Sequence, residues 1–207
     1  MDPRAGLVLL GAGGHAKVLL ATLEAAGREV LEVLDDDPAR WGTSLLGRPI
    51  SGPIDGNTLV PGHPAILGIG DNRVRQRLAD LDLSWAEVAH PTATVHSSVV
   101  MECGSVVFAG AVVQPEVTIG HHVIVNTGAT VDHDCRLGDF AHIAPGCHLA
   151  GQVQVGEGAL LGIGAAIVPG VSIGAWATVG AGAVVLHDVT AGSVVAGAPA
   201  RVLGINR

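Results

Sequence analysis

The most polar stretch of this chain reads Asn126-Thr127-Gly128-Ala129-Thr130-Val131-Asp132-His133-Asp134-Cys135. An imidazole such as His133, with an ordinary pKa near 6.5, can accept a proton around neutral pH. His142 and His148 follow shortly after. A second constellation lies near the start, in Gly11-Ala12-Gly13-Gly14-His15-Ala16. It follows G-x-G-x-x-A, a permitted form of the dinucleotide-binding fingerprint. Such a loop ahead of a helix presents unpaired N–H groups and the helix dipole to an anion or nucleotide. Asp35 lies about twenty residues on, where a ribose-binding acid would sit. A purely structural glycine turn is the plain alternative, because the motif alone is weak.

Composition removes several function classes. The net charge is −8 with a single lysine, Lys17, so no basic stripe is available for nucleic acid. No run reaches the roughly 18 apolar residues of a membrane span. No basic n-region precedes a cleavable apolar segment, so no secretory signal is expected. The three cysteines, Cys103, Cys135 and Cys147, are odd in number and form no CxxC, which predicts a reduced cytoplasmic setting. Hydrophobic residues make up 48% of the chain and aromatics only 2%, with 30 glycines. That apolar content excludes disorder, and 30 glycines in 207 residues without a G-X-Y register exclude collagen. A core of aliphatic and small side chains calls for a narrow, repetitive architecture.

The repeat has a period of six. From Val95, every sixth residue to Val185 is aliphatic or Met, sixteen positions without insertion. Four residues after each, from Val99 to Val189, stands Val or a smaller residue. Six fits neither helix nor strand alternation, but it fits short strands and turns wound as a parallel β-helix. The large residue fills the interior from a flat face and the small one packs beside a corner. Gly, Asn or Asp often follows the large residue, as at Gly120, Asn126 and Gly156, and is expected to serve the turn geometry.

Ahead of the repeat, Leu7 to Leu10 reads as a strand and His15 to Ala26 as a helix. Val30 to Leu34 reads as a second strand ending in Asp35-Asp36-Asp37. Ala65 to Ile69 reads as a later strand, followed by a charged helix to about Leu81. This order predicts an α/β N-terminal domain with a small parallel sheet, a Rossmann-like half. The expected boundaries are 1–87 for that domain, 88–190 for the β-helix and 191–207 for a C-terminal tail.

The period turns spacing into geometry. His133 is two residues past an interior position, so it belongs at an outward-facing corner. Gly151, 18 residues later, belongs at the same corner one coil on. Its N–H could then face a substrate carbonyl near His133. His142 is half a coil away, on a different side of the prism. The two histidines can share a site only if one comes from a neighbouring chain, so the expected active site lies between subunits.

The hexads resemble the hexapeptide-repeat family, whose members fold as left-handed parallel β-helices with three hexads to a coil. The left hand comes from that resemblance, since the general crossover rule would predict the opposite. Sixteen hexads then imply about five coils, stacked at roughly 4.8 Å each. The family usually buries its exposed apolar side faces as a homotrimer. A narrower resemblance rests on Gly-Ala-Gly-Gly-His-Ala-Lys, Asp35-Asp36, Ile69 to Asn72, Asn126 to Cys135, and Val195 to Arg201. It is similar to the sugar acetyltransferases that include the bacillosamine and perosamine N-acetyltransferases and the sialic-acid O-acetyltransferases, and it covers nearly the whole chain.

The resemblance implies acetyl transfer from acetyl-CoA, without a metal, to an amino group of a nucleotide-linked sugar, in polysaccharide biosynthesis. It implies His133 as general base and Asp134 as the acid beside it; Asp132 is the alternative partner. Asn126 falls near the acceptor. The Gly151 N–H polarises the thioester carbonyl, and His142 and Ile163 contact acetyl-CoA. Gly13, Gly14, His15, Asp35, Asp36 and Gly70 hold the nucleotide. Cys135, at an interior position, is not needed as a nucleophile. His96, His121 and His122 read as surface residues.

Three other readings stand beside this one. A γ-carbonic-anhydrase-like enzyme would bind zinc between chains through His133, His142 and His148. A non-catalytic nucleotide-binding trimer would need no His133 chemistry. Transfer to a hydroxyl instead of an amine would keep the same fold and cosubstrate.

Overall fold

The computed structural model describes residues 6–55 and 62–206. The N-terminal part builds on strand β1 (Leu7–Leu10), whose four residues are all buried. β1 pairs in parallel with β2 (Val30–Leu34) on one side and β5 (Ala65–Leu67) on the other. A two-stranded hairpin, β3 (Ser44–Leu45) and β4 (Arg48–Pro49), lies between them in sequence. Helix α1 (Gly14–Ala25) connects β1 to β2. Its Ala16, Leu19, Leu20 and Leu23 recur at i, i+3, i+4 and i+7 and are all buried. Helix α2 (Asn72–Ala79) follows β5, capped by the Asp71 side chain, which accepts the Val74 N–H at 2.9 Å.

From Val88 onward the chain winds through two-residue strands on three faces of a prism, each strand pairing in parallel with the one 18 residues later. The first face carries six strands, from Thr94–Val95 to Val184–Val185. The second face runs from Val100–Met101 to Ser172–Ile173. The third runs from Val88–Ala89 through Ile124–Val125 and His142–Ile143 to Ser193–Ala196, and ends with the antiparallel strand Arg201–Ile205. Six coils are therefore present, one more than the hexad count implied. The extra length comes from the ends. Val88–Ala89 precedes the first hexad, and Val195 pairs with Val179 beyond the last.

Two further expectations are corrected. Val189 does not continue the small-residue series; it bridges Ile173, a large interior position. The chain thus drops two residues after Val185, and the final coil is shorter. The glycines after the large residues also serve a different purpose. The left-handed residues stand three positions past the large one, including Glu116, His122, Asp134, Phe140, Gln152 and Trp176. Gly138, by contrast, is needed because a Cβ there would stand 2.7 Å from the Glu157 nitrogen of the next coil. The same close approach to the backbone of the next coil recurs along this corner at Gly120, Gly156 and Gly174.

The prism interior is one aliphatic cluster from Val107 to Val195. A second apolar cluster joins the two parts of the chain. It unites Ala16, Leu19, Leu20 and Leu23 of α1 with Val88, Val106, Phe108 and Ile124 of the third face. The N-terminal domain is therefore packed on that face. No helix among the described residues is long and apolar enough to cross a membrane.

Candidate functional site

His133 lies at the corner between the first and second faces, after Thr130–Val131 and before Arg136–Leu137. Its side chain is 54% exposed, and its Nδ1–H donates to Asp134 Oδ2 at 2.7 Å. A carboxylate only accepts, so Nδ1 carries the proton and Nε2 keeps a free lone pair. The Asp134 hydrogen bond raises the His133 pKa above its ordinary value, and the charge of Asp132 adds to this. Asp132 itself is engaged elsewhere, its Oδ1 accepting the His133 backbone N–H at 2.8 Å. Asp134 is thus the ring's partner. It holds a left-handed conformation, φ 59°, which Asp tolerates better than most residues.

Gly151 stands one coil on, against the His133 ring. A Cβ at Gly151 would lie 2.6 Å from both Cε1 and Nε2 of His133. The same column contains Pro115 and Pro169, which have no N–H. The ladder bonds here are made by the next residue in each coil: Gln152 donates to the His133 carbonyl and Gly170 to that of Gly151. The N–H of Gly151 is therefore left over by the coil, beside a base with an open lone pair. Cys135 is buried, and burial pushes its thiol up to about 11.

A second polar centre sits where the N-terminal domain meets the third face. Asn126 Nδ2 donates to His142 Nε2 at 3.0 Å, and His142 Nδ1–H donates to the Gly70 carbonyl at 3.3 Å. Asn126 Oδ1 accepts the Thr127 N–H, which fixes the amide's orientation. Both nitrogens of His142 are thus engaged within the chain. Burial, then the Arg75 charge, push its pKa down to about 3. The same causes bring His15 to about 4. His15 packs edge-on against Phe108 and faces His142, and its buried Nε2 has no partner among the described residues.

Arg75 organises this junction, although it was hidden in a charged helix. It is 1% exposed, and the pattern of three arginines over α2, Arg73, Arg75 and Arg77, gives no sign of that. Its Nε donates to the His122 carbonyl and Nη2 to that of Phe140 at 2.6 Å, while Nη1 reaches the carbonyls of Ile69 and Gly70. It ties two corners of the prism to the loop after β5. His122, expected at the surface, is 4% exposed. It stacks on Phe140 and meets Trp85 edge-on, and burial lowers its pKa to about 4. Arg73 lies over Trp176 at 3.5 Å. Four of the chain's five Trp and Phe residues thus stand at this junction, because the narrow prism interior admits only aliphatic and small side chains.

The glycine loop, Asp35, Asp36 and Gly70 converge in the structure. With His15 they line one cleft of about 520 Å³ in the N-terminal domain. α1 follows its N-cap Gly13 without a side-chain cap or an acid in its first turn, leaving its N–H groups open to an anion. Asp35 is itself occupied: its oxygens accept the Ala12 N–H at 2.6 Å and the Asp37 N–H at 2.9 Å. It shapes the loop, and Arg40 fastens it further through the Ala12 carbonyl.

These centres are apart in one chain. The cleft, Asn126 and His142 belong to the third face and the domain upon it. His133 and Gly151 stand on the corner between the first and second faces. Ile163, 62% exposed, is on the remaining corner between the third and first, in register with Pro145.

Comparison with known proteins follows the same division. The PglD N-terminal domain model matches residues 6–81, and the bacterial transferase hexapeptide (six repeats) model matches residues 152–187. No curated protein sequence matches. An asparagine variant of perosamine N-acetyltransferase from Caulobacter crescentus, solved with CoA and GDP-perosamine, is 42% identical. It superimposes with a TM-score of 0.90 over 96% of this chain and 97% of that one. The acetyltransferase domain of PglB from Neisseria gonorrhoeae, in complex with acetyl coenzyme A, is 40% identical, with TM-score 0.90 over 97% and 100%. WeeI from Acinetobacter baumannii is 27% identical, with TM-score 0.87 over 96% and 99%.

Proposed function

Because the chain belongs to the hexapeptide-repeat sugar acetyltransferases with a PglD-type N-terminal domain, we propose that it moves acetyl from acetyl-CoA to the amino group of a nucleotide-linked sugar, with His133 as general base. The observation that carries this reading is the corner itself: an imidazole held by Asp134, with Nε2 open beside the unused N–H of Gly151. The relatives' ligands, CoA with GDP-perosamine and acetyl coenzyme A, fit the same assignment.

The sugar amine attacks the thioester carbonyl. As the C–N bond forms, His133 Nε2 removes the amine proton, and Asp134 stabilises the cationic ring. The Gly151 N–H donates to the developing oxyanion. The C–S bond then breaks, and the proton passes from His133 to the departing sulfur, leaving amide and free CoA thiol. Gly13, Gly14, His15, Asp36 and Gly70 hold the nucleotide, with Asp35 shaping their loop. Asn126 acts through His142, which it orients toward Gly70.

The separation of cleft and corner supports a homotrimer in which one protomer presents the nucleotide-sugar to its neighbour's His133. Exposed Ile163, with Val100 and Leu186, supplies apolar surface for such contacts and for acetyl-CoA. The zinc reading is weaker, since both nitrogens of His142 are already bonded within the chain. The free thiols of Cys103, Cys135 and Cys147 fit a cytoplasmic setting.

The test is incubation with acetyl-CoA and a panel of nucleotide-linked amino and hydroxy sugars, reading thiol release and acetylated product. Thiol release with amino sugars alone is expected. Release with hydroxy sugars alone would assign O-acetyl transfer, and none with any acceptor would overturn the activity.

A further inference from the structure

The cleft of the N-terminal domain has two chemically different ends. One is formed by Gly13, Gly14 and His15 at the start of α1. The other is formed by α2, whose Val74, Arg77 and Leu78 line the cleft together with Ile54 and Asp36. Arg77 lies five residues along α2 from Asn72, about 7 to 8 Å of helix rise. A diphosphate held at the α1 N-terminus therefore leaves the base at the Arg77 end. Ile54, Val74 and Leu78 belong to one apolar cluster and offer a surface for a base ring.

Two polar groups border that surface without being used up by the protein. Asp36 Oδ1 accepts the Ile54 N–H at 2.9 Å, while its second oxygen has no partner among the described residues. Arg77 is exposed and makes no hydrogen bond or ion pair among the described residues, Asp36 of the same cleft included. A guanidinium only donates and a carboxylate only accepts. A base with a carbonyl oxygen next to a ring N–H satisfies both, as uracil, thymine and guanine do. Cytosine and adenine carry the inverse pair, an amino group next to an unprotonated ring nitrogen. Each would then meet a like group, leaving donors and acceptors unpaired.

We infer that the cleft selects nucleotides by this carbonyl–imino edge, reading the carbonyl with Arg77 and the ring N–H with Asp36. The inference rests on the reading of the cleft as the site of the acceptor's nucleotide. Calorimetric titration of the full chain with UDP, GDP, CDP and ADP tests it at constant phosphate charge. UDP or GDP is expected to bind at least tenfold more tightly than CDP and ADP. Arg77→Ala is expected to narrow that ratio to under threefold, and Asp36→Asn to relieve the penalty on CDP. CDP or ADP binding as tightly as the carbonyl bases would overturn the inference. So would an Arg77→Ala protein that weakens all four ligands equally, because Arg77 would then hold phosphate. The acetyl-transfer reading fails separately, by absence of thiol release with every acceptor, whatever the order of nucleotide affinities.

Discussion

The Cβ that Gly151 lacks would stand 2.6 Å from both Nε2 and Cε1 of His133. The residue that would supply the oxyanion donor must therefore also be glycine to leave the base its place. Gly151→Ala is expected to displace the imidazole and lower kcat by about a hundredfold, the cost of roughly 1 Å of misplacement. The coil should stay intact, since Gly151 has no positive φ that a side chain would strain. Steady-state kinetics with a far-ultraviolet spectrum separates the two effects. Unchanged kcat in a folded variant would remove Gly151 from the site.

His133→Ala is expected to lower kcat by about 10²- to 10⁴-fold, the usual contribution of a positioned base. Acetyl-CoA affinity should hardly change.

The pH profile follows from the Asp134 hydrogen bond. It raises the His133 pKa above 6.5, so kcat/KM should fall on the acid side along a limb above that value. Asp134→Asn keeps a residue suited to the left-handed turn but removes the carboxylate. The limb should then move to lower pH and the plateau should drop. A limb that stays in place in Asp134→Asn would assign the titration to another group.

Sharing of the site between chains can be read by mixing. His133→Ala and Gly14→Trp, which blocks the mouth of the nucleotide cleft, should each be nearly inactive alone. Refolded together, they should recover activity, because mixed trimers contain a site with one intact corner and one intact cleft. Failure to recover would place both halves of the site in one chain.

Three histidines with lowered pKa values, buried His122 and half-buried His15 and His142, tie folding to pH. His15 and His122 are held neutral down to about 4 and His142 to about 3, while unfolded histidines titrate near 6.5. Between those values the unfolded chain binds more protons, so stability is full above pH 6.5 and falls as the pH drops toward 4. His122→Phe keeps the stack on Phe140 and should make that loss shallower, as measured by denaturant midpoints between pH 7.5 and 4.5. A midpoint independent of pH in that range would contradict the burial of these rings.

Arg75→Met should cost about 3 kcal/mol or more of stability. It strips the guanidinium from the carbonyls of His122, Phe140, Ile69 and Gly70, of which Gly70 keeps His142 as a donor while the others lose theirs. Urea denaturation measures it.

The sequence by itself determined the prism and the register of its corners. A strict repeat turns residue separation into position, so His133 over Gly151 was legible as two numbers 18 apart. The β-α-β order was equally legible, because α1 shows its buried face at helical spacing. The tertiary structure alone decided how the two parts meet. The periodic lattice stops at the prism surface, and docking on the third face depends on complementarity between parts that share no period. That contact buried His122, which spacing had left at the surface, and Arg75, which its charged neighbours concealed. It also engaged Asn126 and His142 with Gly70. The dropped residues before Val189 escaped notice because valine suits both the corner and the interior, and only strand pairing tells the two apart.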